Sequence, residues 1–247
     1  IQRRKEILFF LLFIIMINYT PVFIHIASCG GRSLRNIFNK ILDNNIYIHH
    51  INPGLWTRKD IPFHKIIRLW LYRDVTIMDK GDKIIKYNQS TKVTNLPLLN
   101  KMPIKYFIIL RNPVYRVLAE RKHTNIDINS FITNPDGYNM ICKSILIAFT
   151  GNIDIYLKNI DQNKLEEIKR YIIGNNVMIG FTNKFNDTLK QLSDYLEYDN
   201  FLDFIDEKNT KNSNEKYANI NQNVIDIIKN NNKYDILLYE WAKELVI

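Results

Sequence analysis

The stretch Val22-Phe-Ile-His-Ile-Ala-Ser-Cys-Gly-Gly-Arg-Ser-Leu34 constrains this chain most. An apolar run passes into a small-residue turn with two adjacent glycines, and a helical pattern follows at once. The run predicts a buried strand over Val22–Ala27. Leu34, Ile37, Phe38, Ile41 and Leu42 recur at helical spacing and predict a helix over Ser33–Leu42. A strand that turns directly into a helix brings backbone N–H groups and the positive end of the helix dipole to one point, an arrangement that receives phosphate. Paired glycines permit positive φ and close backbone approach. They also serve an ordinary tight strand-to-helix turn, so the turn alone leaves both readings open.

The rest of the chain repeats the alternation of strand and helix. Ile46–Ile51 predicts a second strand that carries His49 and His50 at its end. Tyr106–Leu110 is continuously apolar, the pattern of a strand buried on both faces. It stops at Arg111-Asn112-Pro113, and Pro113 suits the first turn of a helix lined by Val114, Val117 and Leu118. Further helices are predicted over Asn139–Phe149 and Leu165–Ile173. Another carries Phe185, Leu189, Leu192 and Leu196, and the last starts near Tyr234 with Leu237, Leu238, Trp241 and Leu245 on one face. Val177–Phe181 predicts one more strand, and the asparagine-rich stretch 207–223 predicts a loop. Residues 52–105 give no clear pattern. The expected class is α/β, a P-loop-like parallel sheet with helices on both faces. It forms one domain over residues 22–247, preceded by a basic and apolar segment over 1–21.

Composition narrows the partners. The net charge of +9 in 247 residues favours anions such as nucleotides, anionic glycans or membrane surface, and equally suits a merely lysine-rich soluble chain. Cys29 and Cys142 allow one disulfide but no framework, and no Cys/His cluster has zinc spacing, so no metal is expected. At the N-terminus, Arg3-Arg4-Lys5 precedes an apolar run from Ile7 to Ile17. That run is shorter than the roughly 20 residues of a spanning helix and matches a signal-like core or part of an anchor.

A second anion candidate is Leu110-Arg-Asn-Pro-Val-Tyr-Arg-Val-Leu-Ala119, followed by Glu120, Arg121 and Lys122. Arg111 ends a strand where ligands of open α/β sheets bind, and Arg116 follows on the helix. A guanidinium forks onto phosphate oxygens in bidentate fashion. A solvated basic helix face is the plainer reading of the same residues. Candidate general bases are His49 and His50, of which at most one reaches a given face of a strand. His64 and His123 are weaker candidates, and His25 reads as a core histidine within the first strand.

Together the two segments resemble the 5′-phosphosulfate loop and 3′-phosphate motif of sulfotransferases that use 3′-phosphoadenosine 5′-phosphosulfate. The likeness is greatest to the Golgi-type carbohydrate enzymes, including the heparan and uronyl 2-O group. Ile179-Gly-Phe-Thr-Asn-Lys-Phe185 and Asp235-Ile-Leu-Leu-Tyr-Glu-Trp-Ala242 resemble two later stretches of that family, in the same order. The resemblance implies the sulfotransferase fold and transfer of a sulfuryl group from the nucleotide to a carbohydrate hydroxyl. It implies a donor site at Ser28, Cys29, Gly30, Gly31, Arg32, Ser33, Arg111 and Arg116. It further implies a glycan acceptor, no metal, no nucleic-acid partner, and a Golgi-lumen-like, membrane-associated location through an N-terminal anchor.

Two positions depart from the family pattern. Ser28 stands where the family has the loop lysine, and Ala119 where it has a serine. Arg32, one helical turn away from Ser28, is the candidate substitute for the lysine. The departures leave an alternative, a catalytically impaired protein of the same fold that binds a nucleotide or anionic glycan. Other phosphate chemistries fit less well. The chain lacks the Gly-x-x-x-x-Gly-Lys-Ser/Thr run of nucleoside-triphosphate kinases, and its aromatics lie within apolar runs rather than along a basic stripe.

Overall fold

The computed structural model describes residues 20–41, 104–124, 126–150, 152–197, 201–204 and 220–246. The predicted strand over Ile46–Ile51, with His49 and His50, the histidine at 64 and residues 1–19 of the N-terminal segment 1–21 lie outside these residues; the last two positions of that segment, Thr20 and Pro21, open β1.

Among the described residues the sheet has three parallel strands in the order β1 (Thr20–Ile24), β2 (Ile104–Leu110) and β3 (Met178–Phe181). Phe23 pairs with Phe107 and Ile24 with Ile108, while Ile109 pairs with Gly180 and Leu110 with Phe181. All three carboxyl ends therefore lie on one edge. The chain is α/β with a parallel sheet, as the alternation predicts.

Among the described residues the helices are α1 (Gly31–Ile41), α2 (Pro113–Arg121), α3 (Ile128–Ile132), α4 (Met140–Thr150), α5 (Gln162–Gly174), α6 (Phe185–Tyr195), α7 (Gln222–Asn231) and α8 (Lys233–Leu245). Local chemistry sets their starts. Asn112 accepts from the N–H groups of Val114 at 3.0 Å and Tyr115 at 3.5 Å, and Pro113 occupies the first turn of α2. Asp161 accepts from Lys164 N–H to open α5, and Asn221 from Asn223 N–H to open α7.

Both sheet faces are covered. Ile24, Ile108, Leu110, Ile179 and Phe181 share a core with buried residues of α4, α5 and α8, including Ile145, Leu165, Ile168 and Leu238. The opposite face carries Phe23 and Phe107, stacked with ring centroids 5.0 Å apart, and Ile109. Gly180 lies on that face too, against α6. A β-carbon at Gly180 would fall 2.1 Å from Thr188 Cγ2, so only glycine admits this approach. The Thr188 hydroxyl accepts from Phe181 N–H at 2.7 Å and donates to the Phe181 carbonyl at 3.0 Å, which fastens α6 to β3.

Several boundaries differ from the periodicity. β1 ends at Ile24, so His25 lies beyond the strand rather than within it. Helix α1 starts at Gly31, two positions before the first residue of the predicted helix. The last two positions of the predicted loop, Gln222 and Asn223, belong to α7. The buried stripe of α8 is Asp235, Leu238, Tyr239 and Ala242, whereas Leu237 and Leu245 are exposed. A buried carboxylate at Asp235 rotates the helix away from the face that hydropathy alone selects. Among the described residues no helix is long and apolar enough to cross a membrane.

Candidate functional site at the strand ends

The turn between β1 and α1 is tight. Cys29 N–H donates to the Ile26 carbonyl at 3.2 Å, and Leu34 N–H is bonded to the Gly30 carbonyl at 3.1 Å. The N–H groups of Gly31, Arg32 and Ser33 therefore occupy the first turn of α1, where a helix offers donors to groups outside itself. Gly30 has φ +83°, a conformation that costs glycine nothing. Ser28 has φ +62°, which is strained for a serine; residues of this kind cost about 1–3 kcal/mol. Behind Gly31 lies the His25 ring, whose Nε2 is 2.1 Å from where a β-carbon would stand. The second glycine is thus required by its histidine neighbour.

The neighbouring strands bring polar groups to the same place. Arg111 Nη1 donates to the Ser28 carbonyl at 3.2 Å. Ser28 Oγ donates to Glu120 Oε2 at 2.5 Å, so a carboxylate of α2 rests on the turn. Just past the end of β3, Thr182 and, at the start of α6, Phe185 face Gly30, with Thr182 Cγ2 3.5 Å from a β-carbon placed there. Asn183 follows Thr182 and accepts a long hydrogen bond from the Tyr239 hydroxyl at 3.5 Å.

Arg116 is 3 % exposed, and its Nε has no hydrogen-bond partner. Its positive charge is felt both at Cys29 in the turn and at Asp235 on α8. A buried guanidinium needs a compensating anion. Asp235 supplies one from behind the turn. Burial nevertheless holds the Asp235 carboxyl above its ordinary range, with Arg116 and the N–H groups of Cys142 and Ile141 pulling the other way.

Asp235 belongs to a second polar cluster. Its carboxylate accepts from the N–H groups of Ile141 at 3.0 Å and Cys142 at 2.9 Å, at the start of α4. In exchange, Asn139 Oδ1 accepts from Tyr234 N–H at 3.0 Å and Asp235 N–H at 3.2 Å, at the start of α8. Asn232 Oδ1 accepts from Asn139 N–H at 3.0 Å. Each helix caps the other, and the buried polar atoms named here are satisfied.

The cysteines are inert in this setting. Both are free and buried, so the single disulfide they allow is not formed. Burial pushes the Cys29 thiol up to about 12, and burial and Asp235 raise Cys142 well above the ordinary range. Neither supplies a thiolate at neutral pH. Among the described residues no group of three or more His, Cys, Asp or Glu is arranged to hold a metal ion.

Of the residues singled out from sequence, Ser28, Cys29, Gly30, Gly31, Arg32, Ser33, Arg111 and Arg116 all lie at or behind this edge. Arg32 is exposed on the first turn of α1, and Arg116 is buried. His123 is exposed past the end of α2. Sequence reasoning missed Glu120 and placed His25 away from the turn. The signal for Glu120 was its spacing of one helical turn from Arg116, which puts the two on one side of α2. No protein-family model matches the chain, and no curated protein matches it.

Proposed function

We propose that the chain is a sulfotransferase that moves a sulfuryl group from 3′-phosphoadenosine 5′-phosphosulfate to a carbohydrate hydroxyl. The observation that carries this reading is the adjacency of β1 and β2. Their register brings the glycine turn and Arg111 onto one edge, with Arg111 bonded to the turn itself. In that reading the α1 N-terminus holds the 5′ phosphate through backbone N–H groups. Arg111 lies between the turn and α2, where a guanidinium can reach a second phosphate. The nucleotide supplies the activated sulfuryl group. The chain supplies orientation and positive potential where charge develops on the departing phosphate oxygens. His49 and His50 remain the candidates to take the acceptor proton.

The residues fit the donor in part. Backbone donors and Arg111 suit phosphate, but Ser28 brings no charge and holds a carboxylate. Removing one donor of this kind costs about 3–4 kcal/mol of barrier, a hundred- to a thousandfold in rate. The contact between Ser28 and Glu120 thereby favours the second reading, a protein of this fold that binds a nucleotide or anionic glycan without efficient transfer. Thermal unfolding with adenosine 3′,5′-bisphosphate tests the nucleotide site. Ligand at 100 times its dissociation constant stabilises by about 2.7 kcal/mol. No shift at millimolar ligand contradicts both nucleotide readings. Binding followed by radiolabelled sulfate transfer to glycans separates the enzyme from the binding protein.

A further inference from the structure

We infer that Glu120 is a built-in competitor for the anion at the glycine turn and sets how strongly that turn binds. The inference rests on the turn being an anion site. Three observations carry it. The Glu120 carboxylate lies 2.5 Å from Ser28 Oγ and takes the hydroxyl proton that a bound anion would use. Ser28 is held in the left-handed region at φ +62°, and its hydroxyl reaches Glu120 of α2. Arg111, the cation at the strand end, donates to the Ser28 carbonyl, so it braces the same residue.

The consequence is electrostatic. An incoming phosphate brings negative charge to a place that already holds a carboxylate, and like charges in one site cost affinity. The same contact decides what a cation at position 28 would do. A lysine there would meet Glu120 and form an ion pair, leaving little charge for a ligand. Ser28 and Glu120 therefore form one unit, and neither can be judged alone.

The test is calorimetric titration of the whole chain with adenosine 3′,5′-bisphosphate and, separately, inorganic pyrophosphate. The variants are Glu120→Gln, Glu120→Asp and Ser28→Lys with and without Glu120→Gln. Glu120→Gln keeps an oxygen that can accept from Ser28 while removing the charge. It is expected to tighten both anions roughly tenfold or more at low salt, and less at high salt. Glu120→Asp, which keeps the charge, is expected to bind like the unaltered chain; a tightening equal to that of Glu120→Gln would assign the effect to packing and overturn the inference. Ser28→Lys alone should gain less than Ser28→Lys combined with Glu120→Gln gains over Glu120→Gln. If the unaltered chain binds the bisphosphate and Glu120→Gln binds it no tighter, the inference fails while the proposed function stands. If only pyrophosphate binds, and more tightly to Glu120→Gln, the inference stands and the nucleotide reading fails. If neither anion binds any variant, both fail.

Discussion

Two polar regions of this molecule are built in opposite ways. The cluster of Asn139, Asn232 and Asp235 is buried and closed, each helix end answered by a side chain of the other. The glycine turn is half-open and strained, with a serine at positive φ and a carboxylate resting on it. The first region consumes all its hydrogen bonds internally and serves stability. The second holds the first-turn N–H groups of α1, which no carbonyl of that helix takes, and such groups can serve a ligand. Arg116 links the two regions, since its buried charge acts on Cys29 in one and Asp235 in the other.

The largest expected effect lies in the closed region. Asp235→Ala leaves two buried N–H groups without acceptors and removes the anion that compensates Arg116. The loss should reach about 3–5 kcal/mol in urea unfolding. A loss below about 1 kcal/mol would show that the reciprocal caps do not hold α4 and α8. In the turn, Gly31→Ala drives a β-carbon into the His25 ring. It should destabilise by about 1–3 kcal/mol and weaken anion binding as well. Full stability with lost binding would mean that the histidine moves aside and only the turn is deformed.

The pH dependence sharpens the comparison further. The Asp235 carboxyl is held above its ordinary 3.8 by burial. Its bound proton therefore stabilises the fold below that ordinary value, and this contribution is lost as pH rises through the folded-state value. The stability advantage of the unaltered chain over Asp235→Asn should accordingly shrink as pH rises from 3.5 into the neutral range. An advantage that grows with pH over that range would reverse the assigned direction. The smallest expected effect is at Cys29. With its thiol pushed up to about 12 and no exposed surface, it should resist iodoacetamide at pH 7.5 until the chain unfolds. Rapid labelling of the folded protein would show that the turn opens.

Much of this was legible in the residues, and what was not has physical causes. The continuous apolar run before Arg111 announced a buried parallel strand, and Asn112-Pro113 announced the helix start that Asn112 caps. The glycine pair announced the turn. Glu120 escaped because its contact with Ser28 spans 92 positions and depends on how α2 crosses the end of β1. The exposed Leu237 and Leu245 were misplaced because a buried aspartate, normally read as a surface residue, fixes the orientation of α8. The apolar neighbours of His25 suggest a core position, whereas the space left by Gly31 admits its ring beside the turn.

In the proposed function the open region, unlike the closed one, receives a nucleotide's phosphate groups. Calorimetric titration of the unaltered chain with adenosine 3′,5′-bisphosphate, alongside Arg111→Ala, tests it most directly. Saturable binding of one nucleotide per chain is expected. Removing Arg111 should cost about 1.5–3 kcal/mol of binding, the worth of hydrogen bonds to charged groups. No heat of binding at millimolar nucleotide, or equal affinity in Arg111→Ala, would contradict it.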